Sequence, residues 1–159
     1  MTEIDESILR EIVYRAFRKA QELHAGQKDC DGLDYFLTHV LQVYFLVKEC
    51  DHKDDVLLCA ALLHDTIEDT GYTYEQMLED FGAEIADLVM EVTQEGRKDA
   101  YGYYFPRLKS KRGIMLKFAD RLSNLSRMSS WPEARQQQYL KRSKFWKDGS
   151  DLTKHDISA

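Results

Sequence analysis

Between positions 64 and 69 the chain carries one imidazole and three carboxylates, His64, Asp65, Glu68 and Asp69, directly after an apolar run from Val56 to Leu63. If the stretch is helical, His64 and Glu68 are four apart and so are Asp65 and Asp69, so each pair projects from about the same side. Such groups at the lip of a buried segment suit a metal ion and acid–base chemistry on water. A second concentration of usable side chains lies between Lys117 and Arg127. Lys117, Asp120, Asn124 and Arg127 fall within about 80° of one another at 100° per residue. They offer a carboxylate for a metal, an amide for hydrogen bonding and two cations for phosphate. Read without chemistry, the same four make a solvated face. Phe118, Leu122 and Leu125 form an apolar seam on a different side of that helix.

His39 sits among Phe36, Leu37, Val40 and Val43, and taken alone it reads as a core histidine satisfied by a neighbour. Buried polar groups without partners are costly, and a shared cation satisfies several at once. His39, His64, Asp65 and Asp120 together supply two imidazoles and two carboxylates, a mixed nitrogen and oxygen set that suits Mn²⁺, Fe²⁺ or Zn²⁺. The four are far apart in sequence, and spacing alone does not bring them together.

The elements that must position these groups read as helices. Ile8, Ile12 and Ala16, with Leu9, Val13, Phe17 and Ala20, give the stripe of a first helix over about 5–24, with Gly26 as its C-cap. A second helix starts near Asp34 and carries Phe36, Val40, Val43 and Val47 on one stripe, with His39 beside it. Asp51 to Asp55 offers N-caps for a third helix from about Val56 to Glu68, closed by Gly71. Its Leu/Ala content favours a buried helix over a strand. Thr73-Tyr74-Glu75-Gln76 fits a capping box for a short helix that stops at Gly82. Ile85, Leu88, Val89 and Val92 mark a fifth helix, ending by Gly96, and a long helix runs from about Gly113 to Met128. Ser130-Trp131-Pro132-Glu133 opens a last helix to about Lys147, leaving 148–159 as a flexible tail. The fold class is therefore all-α, with one domain over 1–147. Tyr101, Tyr103, Tyr104 and Phe105 cluster before Pro106 in the stretch that reads least clearly.

At 159 residues the chain can bury a substantial core. A net charge of −6 argues against a nucleic-acid polymer as partner. A small phosphorylated substrate needs only a local basic patch, and one lies between Arg107 and Arg127. No apolar run is long enough to span a bilayer, and the acidic start Met1-Thr2-Glu3-Ile4-Asp5-Glu6 lacks the features of a signal peptide. Cys30, Cys50 and Cys59 are odd in number and form no CxxC, which points to free thiols in a reducing cytoplasm. A homo-oligomer is compatible with all of this.

Several stretches, in this order, carry a family resemblance: His24-x-Gly26-Gln27; Tyr35 and His39; Leu63-His64-Asp65-x-x-Glu68-Asp69-Thr70; Phe81-Gly82-x-x-Ile85 with Val92-Thr93; and Lys117-x-Ala119-Asp120-Arg121-Leu122-x-Asn124. Over roughly 10–128 the chain resembles the HD-domain hydrolase module of the RelA/SpoT-type guanosine polyphosphate enzymes, above all the short stand-alone forms. The resemblance implies a compact helical bundle in which His39, His64, Asp65 and Asp120 bind one Mn²⁺. It implies that Glu68 and Asp69 orient and deprotonate the attacking water, and that Lys117, Asn124 and Arg127 face the nucleotide. The chain departs from the family after His-x-Gly-Gln, where a basic residue that touches the nucleotide is usual: Lys28 is the candidate there, but Asp29, Cys30 and Asp31 follow it. Val40 stands where many members have proline, and the chain from Ser129 onward has no match.

The expected activity is cytoplasmic, metal-dependent removal of the 3′-pyrophosphate of guanosine tetra- or pentaphosphate. Two other readings stand beside it: the same chemistry on a nucleoside monophosphate or NADPH, and a metal- or nucleotide-binding regulatory module without turnover. Retention of both Glu68 and Asp69 counts against the last.

Overall fold

The computed structural model describes residues 11–93 and 108–143. Expectations for the start of the first helix, the Tyr101–Phe105 cluster and the chain beyond 143 lie outside the described residues. The described chain is helical, without strands, its one β-type contact being an isolated antiparallel bridge between Lys28 and Asp34. In order come α1 (Glu11–Leu23), a π-helical turn (Phe36–Val40), α2 (Leu41–Cys50), α3 (Asp55–Leu63), α4 (Thr66–Asp69), α5 (Tyr74–Phe81) and α6 (Ala83–Val92). Then follow α7 (Lys111–Arg127), a 3₁₀ turn (Met128–Ser130) and α8 (Glu133–Ser143).

α3 is the axis of the bundle. Every residue from Leu57 to Leu63 is buried, and α1, α2, α6 and α7 pack around it. Its first turn is fixed twice by Asp54, which accepts from Leu57 N at 3.1 Å and takes both Nε and Nη2 of Arg112 on α7 at 2.7 and 2.9 Å. That second bond ties the start of α3 to the start of α7, so the helix that leads into His64 and Asp65 is anchored to the helix that carries Asp120.

The expected helix over Val56–Glu68 is broken. It ends at Leu63, and a separate single turn, α4, begins at Thr66. The terminal carbonyls of α3 are taken by side chains: His64 Nδ1 reaches Ala61 O at 2.7 Å and Thr66 Oγ1 donates to Leu63 O at 2.7 Å. These donors replace amides that a continuing helix would supply. His64 and Asp65 therefore stand in a turn, not on a helix face, and the four-residue pairing with Glu68 and Asp69 does not position them.

The second expected helix begins as the π-turn, in which Leu41 N bonds to Phe36 O. Asp34 starts it by accepting from Phe36 N at 3.0 Å. The stripe of Phe36, Val40, Val43 and Val47 is buried as read, and His39 is buried with it. The Thr73 capping box and the stop at Gly82 (φ +90°) are also present.

On α7 the Lys117–Asp120 face turns inward, against the solvated reading, and the apolar seam faces outward in part. Phe118 and Leu122 are 50% and 55% exposed, whereas Lys117 is 4% exposed, with Asp120 and Arg121 buried beside it. Glu91 on α6 receives Lys109 N and Ser110 N at 3.0 and 3.1 Å and fills the space beside Gly113, where a side chain would collide with it. The three cysteines are unpaired, and no helix among the described residues is long and apolar enough to cross a membrane.

Candidate metal centre and the cleft beside it

Three parts of the chain deliver four ligand-type atoms to one point. The π-turn brings His39, the turn after α3 brings His64 and Asp65, and the middle of α7 brings Asp120. His39 Nε2 lies 3.2 Å from His64 Nε2, 3.2 Å from Asp65 Oδ2 and 3.1 Å from Asp120 Oδ1. His64 Nε2 lies 3.1 Å from Asp65 Oδ2 and 3.4 Å from Asp120 Oδ1. All four residues are buried.

The outer nitrogens set the tautomer that each ring takes when it is neutral. His64 Nδ1 faces the carbonyl of Ala61, which only accepts, so the proton is on Nδ1. His39 Nδ1 faces Ser123 Oγ at 3.0 Å, and that hydroxyl donates to Gln42 Oε1 at 2.8 Å. Ser123 thus accepts from His39, whose Nε2 is left with its lone pair. With both rings neutral, two bare nitrogens and two carboxylate oxygens face one another across little more than 3 Å, an arrangement of acceptors that a divalent cation satisfies.

The same cluster of charge also binds protons, which a cation must displace. Burial works to lower the affinity of His39 and His64 for a proton, yet Asp65 and Asp120 outweigh it and raise His39, and raise His64 well above the ordinary histidine value. Burial likewise opposes ionisation of Asp65 and Asp120, but the two imidazoles hold both carboxyls well below the usual range. The site attracts positive charge.

The quartet opens onto a chamber of about 290 Å³ walled by Glu68, Asp69, Lys117, Arg121, Asn124 and Tyr139, among others. Glu68 and Asp69, both exposed, lie on α4 at its edge. Asp69 is held above the ordinary carboxyl value by partial desolvation at the chamber edge and then by the charge of Asp65, while a hydrogen bond from Gln27 pulls the other way. Lys117 is committed inward: its Nζ donates to Val92 O at 3.1 Å and stands 3.6 Å from Asp120 Oδ2.

An outer chamber of about 440 Å³ adjoins the first through shared walls at Tyr35, Asn124, Arg135 and Tyr139, and takes in Lys28 and Arg127. Lys28 is exposed there. Arg127 donates to Asn124 Oδ1 at 3.0 Å and lies 3.7 Å from Asp29 Oδ2. The sequence-predicted residues are therefore divided, with Lys117 at the metal-type quartet, Lys28 and Arg127 in the outer chamber, and Asn124 between.

A family pattern described as HD domain matches residues 16–101, more than half of the chain. The chain belongs to the HD-domain family. The solved structure of a metazoan ortholog of SpoT, described as hydrolysing ppGpp and acting in starvation responses, superposes with a TM-score of 0.67 at 30% identity. The alignment covers 81% of this HD-domain chain and 79% of that one. A guanosine-3′,5′-bis(diphosphate) 3′-pyrophosphohydrolase of Spiroplasma citri is 37% identical over 144 residues, 84% of this chain and 19% of that protein. A probable GTP pyrophosphokinase of Mycobacterium leprae is 40% identical over 134 residues, 79% of this chain and 17% of that protein. The HD-domain chain thus spans about a fifth of the length of these curated relatives.

Residues without a sequence-derived role also stand in this HD-domain site. Tyr35 donates to Asp65 Oδ2 at 2.6 Å, and it was visible only as a matched motif position. Ser123 had no signal. Arg135 and Tyr139 come from α8, beyond the reach of the resemblance; Tyr139 Oη accepts from Asn124 at 2.8 Å and from Arg121 at 3.3 Å.

Proposed function

We propose that this chain is a divalent-metal-dependent phosphohydrolase that removes the 3′-pyrophosphate of guanosine tetra- or pentaphosphate, with water as nucleophile. The observation that carries the reading is the buried quartet of His39, His64, Asp65 and Asp120 opening onto a chamber edged by Glu68 and Asp69. The quartet would hold the ion, Mn²⁺ in preference to Fe²⁺ or Zn²⁺. A bound divalent ion acidifies water and draws electron density from a phosphoryl group.

The chain's own residues supply the rest. Tyr35 and Lys117 fix the carboxylates of Asp65 and Asp120. Asp69 and Glu68 take the proton of the attacking water, and the upward shift of Asp69 makes it a better base near neutrality. Lys117 adds positive charge where the pyrophosphate leaves. Lys28, Arg127 and Arg135 line the outer chamber, where the remaining phosphates of the nucleotide bind, with Asn124 hydrogen-bonding at the junction. The printed activities of the SpoT ortholog and the Spiroplasma relative support this substrate. A cytoplasmic setting follows from such a substrate and from unpaired thiols.

The test is product analysis. Mn²⁺-loaded protein is offered guanosine tetraphosphate, nucleoside monophosphates and NADPH, with His64→Ala as control. Pyrophosphate release from the first, lost in the control, is the expected result. Release of phosphate from NADPH or a monophosphate alone would redirect the substrate assignment, and inertness toward all would favour a binding module.

A further inference from the structure

We propose that His24 and Gln27 form a positioning pair that fixes the carboxylate of Asp69 at the edge of the metal-type chamber. The proposal rests on the hydrolase reading above, in which Asp69 serves the attacking water.

Gln27 springs from a fixed point. Its backbone N donates to His24 O at 2.9 Å, its O accepts from Tyr35 N at 2.9 Å, and the preceding Gly26 takes φ +84° to close the turn. Its side-chain amide then bridges two groups: Nε2 donates to Asp69 Oδ2 at 3.1 Å, and Oε1 meets His24 Nδ1 at 2.7 Å. The carboxylate sets the direction of the amide. Turned the other way, the amide would put its oxygen against the carboxylate. The NH₂ group would then require a bare Nδ1, leaving His24 Nε2 as a buried N–H without an acceptor. In the bridging arrangement His24 carries its proton on Nδ1, and only a lone pair at Nε2 goes unpaired. His24 is fully buried and packs 5.6 Å from the Tyr35 ring, so it cannot swing to another rotamer.

A chain of two hydrogen bonds thus runs from a core imidazole to an exposed carboxylate. α4 needs it. Thr66 and Ile67 anchor this single turn to the core, but Asp69 stands on its exposed side, where packing does not hold its rotamer. The amide grips one oxygen and leaves Oδ1 to accept from water. Being neutral, it orients the carboxylate without cancelling its charge. This gives physical roles to His24 and Gln27, which the sequence pattern marked without explaining.

Gln27→Met keeps the length of the side chain and removes the donor. In Mn²⁺-loaded protein it is expected to lower kcat on guanosine tetraphosphate by about 10- to 100-fold, with KM changed by less than about twofold. His24→Leu is expected to do the same, and the double variant to be no worse than either alone. In an Asp69→Asn background Gln27→Met should cost nothing further. An arm independent of turnover follows the Gln27 side-chain amide resonances in ¹⁵N-labelled protein, which should move on Asp69→Asn and on His24→Leu. Additive losses, an undiminished effect in the Asp69→Asn background, or Gln27 resonances indifferent to Asp69→Asn would overturn the proposal. If His24→Leu does not fold, Gln27→Met decides alone. A wild-type protein without turnover overturns the hydrolase reading instead, and the resonances still report whether the pair holds Asp69.

Discussion

Ser123 determines which nitrogen of His39 is available to a cation. By donating to Gln42 and accepting from His39 Nδ1, it selects the neutral tautomer whose lone pair lies on Nε2, the atom aimed at the quartet. Ser123→Ala is therefore expected to weaken Mn²⁺ binding by about 10- to 100-fold without abolishing it, measured by competition with a chelator; unchanged affinity would remove the tautomer argument. The charge balance of the quartet also predicts a pH dependence. The folded-state values of His39 and His64 lie above the ordinary 6.5, so in metal-free protein their protonation contributes stability that is fully present below about pH 6.5 and lost as pH rises through the raised values. Asp65 and Asp120 act in the opposite sense: their depressed values contribute stability above about pH 3.8 that is lost on acidification through the folded-state values. Metal-free protein should lose thermal stability as pH rises above about 6.5, and the increment in Tm from added Mn²⁺ should grow over the same range. The ligand types were legible because His39, His64, Asp65 and Asp120 are chemically distinctive. Ser123, Gln42 and Tyr35 were not, because a hydroxyl or amide acquires such a role only from what the fold brings beside it.

At the scale of elements, the joint between α3 and α7 carries the geometry of the site. Asp54 caps the first helix and ion-pairs with Arg112 of the second. Burial opposes ionisation of Asp54, but the Arg112 guanidinium and the amide of Leu57 outweigh it and hold the carboxyl below its ordinary value. Asp54→Ala removes cap and pair together and is expected to cost about 1–3 kcal/mol. Arg112→Gln leaves the cap in place and should cost less than about 1 kcal/mol, since the Arg112 side chain is 43% exposed and its pair is screened by solvent. Denaturant unfolding of the two variants separates the contributions, and equal losses would contradict the cap. The helices themselves were readable from stripes and caps, as at Thr73 and along Phe36, Val40, Val43 and Val47. Two features were not. An unbroken apolar run gives no sign that His64 and Thr66 will claim the carbonyls that end α3. α7 carries two competing stripes, and only the neighbouring quartet explains why Lys117 and Asp120 turn inward while Phe118 and Leu122 face outward.

For the whole molecule, an overall charge of −6 coexists with a cleft that gathers Lys28, Lys117, Arg127 and Arg135. Local charge governs binding of a small polyanion, because exposed charges more than about 10 Å away are screened at 0.1 M salt. KM for guanosine tetraphosphate is thus expected to rise severalfold from low to about 0.5 M salt with kcat little changed, and Arg135→Ala should flatten that dependence. A KM that falls with salt would mean that the net negative surface dominates. α8 belongs to this scale as well. It reaches the cleft through Tyr139, against Asn124 and Arg121, and through Arg135, which stacks 4.0 Å from the Trp131 ring. The basic patch was legible in the sequence, but the part of Arg135 and Tyr139 was not, because the last helix shows no chemistry until it is laid beside α7.

The most direct test is pyrophosphate release from guanosine tetraphosphate followed as metal-free protein is titrated with Mn²⁺, with bound metal counted in the same samples. Activity should rise in proportion to occupancy, saturate at one ion per chain and vanish in His64→Ala. Full activity in metal-free protein, or a rate that ignores occupancy of this quartet, would contradict the account.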